Sequence, residues 1–268
     1  MAAALSEANL RLITGRYAVD PARPIAGAGG GLPAFAATDR HGLSGLMAVQ
    51  AARARPARAQ VLRALAGLTE GVLGPLAHGI GSAGDAGEEA YYVICPVPPG
   101  PAVGAVPRAW GEAELIECLL RPAAQALDRL NARGVTHRAI RPDNVFQSAP
   151  GRPVTLGQGW AAPPASLQPA LFEPPYSAMC LPCARGEGSI ADDVYALGAL
   201  MVVLALGLIP LAGLDPVGVV RRKLELGSFA ALAGEAHLPS AIADLARGML
   251  AEEPEHPPAP SHLLIPRC

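Results

Sequence analysis

From Val194 to Leu214 the chain runs for 21 residues without a charged side chain. Such a stretch is about long enough to cross a bilayer as a helix, or else it is the buried centre of a folded domain. Gly207, Pro210 and Gly213 interrupt its second half, and no basic cluster flanks its start as the topology of a span would require. A buried helix over 191–206, stopped at Gly207 and followed by a turn, explains the same letters. No membrane span is expected, and the rest of the chain must wrap this helix.

There is enough apolar material to do so. Of 268 residues, 51% are hydrophobic, which offsets chain entropy and argues against disorder. The formal net charge of −2 leaves no basic surface to attract phosphates, so no nucleic-acid partner is expected. The high Gly and Pro content is attributed to coding bias. Met1–Arg16 has no basic start, and Glu7 and Asn9 interrupt its apolar part, so it is not a secretory signal. Cys95, Cys118, Cys180, Cys183 and Cys268 are odd in number and scattered, which points to a reducing cytoplasm rather than a disulfide framework. Cys180-x-x-Cys183 has the spacing of half a zinc site, but no second half follows it, and it is taken as a structural accident. No metal and no cofactor is expected.

Hydrophobic periodicity divides the chain in two. Residues 17–50 read as short extended segments around the turn Ala28-Gly29-Gly30-Gly31, with a strand at Leu46-Met47-Ala48-Val49. Residues 53–68 switch to helical spacing, with Arg53, Arg55, Arg58 and Arg63 on a solvated face. Tyr91-Tyr92-Val93-Ile94 is β-rich and runs into the linker Pro96-Val97-Pro98-Pro99-Gly100. Beyond it the spacing predicts a helix from Leu115 to Leu130, kinked at Pro122 and stopped at Gly134. A turn-rich stretch follows to Pro182, then the apolar helix, a weaker helix near 216–226 and an amphipathic one over 241–251. The expected architecture is α+β and bilobal, with a small β-rich lobe with one helix over 17–96 and a larger, mainly helical lobe over 97–264.

His137-Arg138-Ala139-Ile140-Arg141-Pro142-Asp143-Asn144 resembles the catalytic loop of bacterial eukaryotic-like Ser/Thr protein kinases, His-Arg-Asp-x-Lys-Pro-x-Asn. The likeness covers nearly the whole domain, in order. Asp193-Val194-Tyr195-Ala196-Leu197-Gly198 looks like the start of the kinase core helix, and Leu206-Gly207-Leu208-Ile209-Pro210 like its exit. Tyr92-Val93-Ile94 into Gly100 resembles the last strand of the small lobe and the hinge, and Glu253–Pro258 a turn near the end of the fold.

The resemblance also implies what is missing. Phosphoryl transfer needs a carboxylate to orient the substrate hydroxyl, carboxylates on Mg²⁺ and a lysine on the phosphates. The catalytic aspartate falls on Ala139, and the metal-binding Asp-Phe-Gly falls on Gly157-Gln158-Gly159. The strand lysine falls on Gln50, and its helix glutamate on Val61, or on Gln60 with a one-residue shift. The phosphate loop over Gly27, Gly29, Gly30 and Gly31 has Leu32 at its third pattern glycine. Asn144 alone survives among the metal ligands. The Ala-Pro-Glu motif falls on Ala178-Met179-Cys180 and its arginine partner on Pro257, a paired loss. His137, Arg138 and Asp193 remain, with structural roles in holding the loop. The implied function is that of a pseudokinase, a single domain over 1–268. It would lack catalysis, bind ATP weakly or not at all, and act as a signalling scaffold for a protein partner or for adjacent domains of a longer parent. The alternative is an atypical nucleotide-dependent transferase, carrying out residual phosphoryl or adenylyl transfer. The counterpart expected in the structure is a cleft filled by the chain's own side chains.

Overall fold

The computed structural model describes residues 11–52, 57–81 and 89–251. Seven elements form the first lobe: β1 (Arg11–Ile13), β2 (Tyr17–Pro24), β3 (Ala34–Asp39), β4 (Leu46–Gln50), α1 (Ala59–Ala64), β5 (Ala77–Gly81) and β6 (Ala90–Pro96). Its strands make one antiparallel sheet in the order β1-β2-β3-β4-β6-β5. Alternation along the strands decides which side chains face which way. Met47, Val49, Val93 and Cys95 point into the core shared with the second lobe, while Leu46, Ala48, Tyr92 and Ile94 pack on the other face with Ile13 and Val19.

Three expectations need correction here. The sheet begins at Arg11, ahead of residue 17, because β1 adds to the edge of β2. The helix expected over 53–68 is described only as Ala59–Ala64, and Arg53 and Arg55 lie outside the described residues. Arg58, placed on a solvated face by spacing alone, is 1% exposed.

The second lobe is helical. α2 (Glu112–Glu114) runs through a wide π-helical stretch, Leu115–Leu120, into α3 (Arg121–Asn131). That wide stretch is how the chain accommodates Pro122, which has no N–H to give the preceding turn. Arg121 N–H instead reaches back five residues to Ile116 O. A small ladder of β7 (Val145–Gln147) and β8 (Val154–Leu156) follows. Then come α4 (Pro175–Met179), α5 (Ile190–Leu206), α6 (Pro216–Leu226), α7 (Ser228–Ala233) and α8 (Ser240–Met249).

α5 is the uncharged segment, and it is buried on all sides from Asp193 to Leu204. Ser189 and Asp192 form a reciprocal capping box at its start, and Gly207 ends it in the left-handed region at φ 67°. Among the described residues no helix is long and apolar enough to cross a membrane. The turn near 253–258 and Pro257 lie outside the described residues.

Candidate functional site

The cleft between the lobes is floored by the loop after α3. The backbone of that loop is fixed by buried charge. Asp193, at the start of α5, accepts hydrogen bonds from the N–H groups of His137 (2.6 Å) and Arg138 (2.7 Å). Burial pushes its carboxyl up to about 6, against the pull of those two donors. His137 is fully buried beside Trp160, their ring centroids 5.2 Å apart. Its Nε2 lies 2.9 Å from Gly157 O, and its Nδ1 lies 3.2 Å from the Ala139 N–H. A neutral ring with the proton on Nε2 satisfies both, and burial pushes its pKa down to about 4.

Arg138 holds an uncommon backbone angle, φ 57°. It pairs with Glu173 at 2.8 Å, both side chains 1% exposed, and with Asp192 at 3.2 Å. Burial pushes the Glu173 carboxyl up to about 7 despite the guanidinium beside it. Behind Glu173, the buried Lys223 of α6 donates from one Nζ to Ala170 O, Leu171 O and Glu173 O, each at 2.8–2.9 Å. From the other lobe, Arg58 crosses to donate to Thr136 O (2.6 Å), His137 O (3.1 Å) and Gly159 O (3.1 Å), and pairs with Glu187. Sequence reasoning missed Arg58, Glu173 and Lys223. Each partner lies 50 or more residues away in the chain except Arg138–Glu173, at 35, and no local pattern carries such pairings.

The phosphate side of the cleft is built differently. The glycine loop folds down onto its own floor. Gln158 Nε2 donates to Gly29 O at 2.6 Å, and the buried Arg141 donates to Gly30 O at 2.6 Å. Gln158 Oε1 in turn accepts from the N–H groups of Trp160 and Ala161, which locks the amide in place. Gly30 sits at φ 58°, and a Cβ there would lie 2.7 Å from Asn144 Oδ1, so only glycine permits this approach. Within the loop, the Ala28 and Leu32 N–H groups already bond to Ile25 O and Gly29 O. Pro33 has none to offer.

Asn144 is fully buried and donates to Ala139 O and Gln158 O, both at 2.9 Å. A Cβ on Gly157 would stand 2.0 Å from Asn144 Oδ1, so the amide fills the space where an aspartate side chain would begin. A divalent cation does not fit these groups. Asn144 Oδ1 is buried without a partner, but the residues beside it are neutral, and the nearby carboxylate in sequence, Asp143, is ion-paired with Arg141 at 2.9 Å. A hard cation requires anionic oxygen. Among the described residues no group of three or more His, Cys, Asp or Glu could hold a metal.

Of the other expected positions, Ala139 is buried on the cleft floor. Gln50 ends β4 half-buried, paired with Tyr92 of β6, and its N–H donates to Pro33 O. Val61 is half-buried and Gln60 exposed on α1.

Among solved structures, the chain is similar to Rad53, a protein kinase, crystallised as residues 1–466 in complex with AMP-PNP. The TM-score is 0.67 at 17% identity, over 94% of this chain. The fold is that of a protein kinase. The chain spans 64% of the length of that Rad53 structure. No family model and no curated protein matches the sequence.

Proposed function

We propose that this domain is a pseudokinase that neither transfers phosphate nor holds ATP usefully, and that it works as a protein-interaction or regulatory scaffold inside the cell. One observation carries the reading. The glycine loop is hydrogen-bonded through Gly29 O and Gly30 O to Gln158 and Arg141, so backbone occupies the space that a triphosphate would need. The sequence implied a cleft filled by the chain's own side chains; what comes down here is the backbone of the glycine loop, held by two side chains. Opening it would expose a site with no carboxylate for a metal and no lysine for phosphate, leaving the ligand's charge uncompensated.

The transferase alternative draws no support from the geometry. Any nucleotide-dependent transfer calls for a cation held by carboxylates, and Asn144 is the sole vestige. The test is a thermal-shift series with ATP, ADP and GTP, each with Mg²⁺, with Mn²⁺ and without metal, run beside a radiolabel transfer assay. No shift and no label are expected. A metal-dependent shift of several degrees, together with label lost on changing Asn144, would overturn the reading.

A further inference from the structure

Cys180 and Cys183 are both free and exposed, whereas Cys95 and Cys118 are buried. They flank Leu181-Pro182 just past α4, where the Ala184 N–H bonds back to Leu181 O and closes a tight turn. Two thiols at this spacing are half of a tetrahedral zinc shell. The described residues of one chain supply no further ligand, since no cluster of three metal-binding side chains occurs among them.

The surface around the thiols is as incomplete as the shell. Leu181 is 72% exposed, Met179 65% and Tyr176 63%. Beside Met179, α4 and α6 border an apolar hollow of about 500 Å³ lined by Val217, Val220 and Leu224. A protruding apolar knob and a hollow on one patch are what a self-complementary, two-fold interface needs. The charges of the hollow agree with this. Arg221 and Glu225 lie one turn apart on α6, so a two-fold axis across that helix sets the arginine of one copy against the glutamate of the other.

We infer that Cys180 and Cys183 of two copies of this chain together bind one zinc-class cation, and that the apolar α4–α6 face closes over the junction as a two-fold dimer. Each of the four thiols loses its proton to solvent as the metal binds, so formation is favoured as pH rises. The inference is independent of whether the cleft binds nucleotide.

The purified full chain, stripped with EDTA and held in a non-chelating phosphine reductant, is titrated with zinc chloride while its mass is followed by sedimentation. A doubling of mass at half an equivalent of zinc, reversed by EDTA, is expected. Cys180→Ser and Cys183→Ser should each remain monomeric at that zinc level with unchanged circular dichroism, and Cys268→Ser should behave as the parent. Cobalt in place of zinc should give the thiolate charge-transfer absorption of a four-sulfur site. Met179→Asp should raise the protein concentration needed for the zinc-dependent dimer at least ten-fold. Zinc bound one per chain at monomeric mass overturns the inference, as does no binding. A dimer that persists in EDTA and in both serine variants overturns the metal site.

Discussion

Two groups of residues meet at the cleft, His137 touching both Ala139 and Gly157, and they keep different kinds of side chain. Around His137 and Asp193 the buried charges are matched: Asp193 with two backbone donors, Arg138 with Glu173 and Asp192, Arg58 with three carbonyls and Glu187, Lys223 with three carbonyls. The positions Gln50, Ala139 and Gly157 are themselves uncharged, and the buried Arg141 nearby is paired with Asp143. The difference separates two demands on a kinase fold. The first region sets the path of the backbone, which folding requires at every moment. The second region carries no such ion pairs at Gln50, Ala139 and Gly157, and the glycine loop lies hydrogen-bonded beside it to Gln158 and Arg141.

The largest effect should come from Asp193→Ala. It strands two buried N–H groups and removes one buried negative charge from beside Arg138, which keeps Glu173 and Asp192, at a cost of about 3–5 kcal/mol. Urea unfolding would measure it, or soluble yield if the variant fails to fold. Asn144→Ala, on the ligand side of the comparison, should cost less than half as much. Equal losses at the two positions would erase the distinction drawn between the regions.

Lys223→Met keeps the length of the side chain and removes the cation from its three carbonyls. Leaving those acceptors buried and unpaired costs about 3 kcal/mol. The damage should spread to Glu173 and so to Arg138. Faster hydrogen exchange at the N–H groups of residues 137–139, with those of the first-lobe sheet unchanged, would show that spread. Uniform exchange would show α6 to be a mere packing element.

His137 tests the first region by titration. Its folded-state pKa is depressed from 6.5 to about 4, so it stays neutral in the fold while the unfolded chain takes up a proton. The stability it contributes is present above 6.5 and is lost as pH falls toward 4, by up to about 3 kcal/mol. Glu173 and Asp193, both raised, act in the opposite sense over the same range. The difference between the parent and His137→Gln isolates the histidine. The parent's advantage over the variant should shrink on acidification from pH 7 to pH 4. An advantage constant with pH would mean that the ring titrates in the fold as it does in the unfolded chain.

How far these regions could be foreseen follows from where their partners lie. The core helix was legible because an uncharged run and a terminal Gly207 are both local signals. The strands at 46–49 and 91–94 were legible as short apolar, β-rich runs. On the cleft floor, the identities of Ala139, Gly157 and Asn144 could be placed by motif. The descent of Gly29 and Gly30 onto Gln158 and Arg141 depends on contacts 111 to 129 residues apart, which no local pattern carries. Arg58 shows the limit most clearly. Helical spacing put it with three other arginines on a wet face, and what buries it is a set of carbonyls 78 to 101 residues further on.

The smallest expected effect concerns nucleotide, and it is the most direct test of the ligand side. An affinity no better than about 1 mM is worth only ~4 kcal/mol. At 1 mM ATP such a site would add about 0.4 kcal/mol of stability, a rise in melting temperature of about 1 °C. Occlusion by the glycine loop and absence of charged groups both predict this near-null, so a variant must tell them apart. Gln158→Ala with Arg141→Ala removes the bonds to Gly29 O and Gly30 O and frees the loop. If occlusion alone excluded nucleotide, this double variant would bind ATP with a clear thermal shift. The expected result is that it does not, because an opened cleft still presents Gln50 and Gly157 to a tetra-anion. Adding Gln50→Lys supplies one charge and should yield at most weak, metal-independent binding. Gly157→Asp cannot be added freely, since its Cβ would meet Asn144 Oδ1 at 2.0 Å. That clash couples the two positions: with the Asn144 amide lying against Gly157, an aspartate at 157 requires Asn144 to move as well.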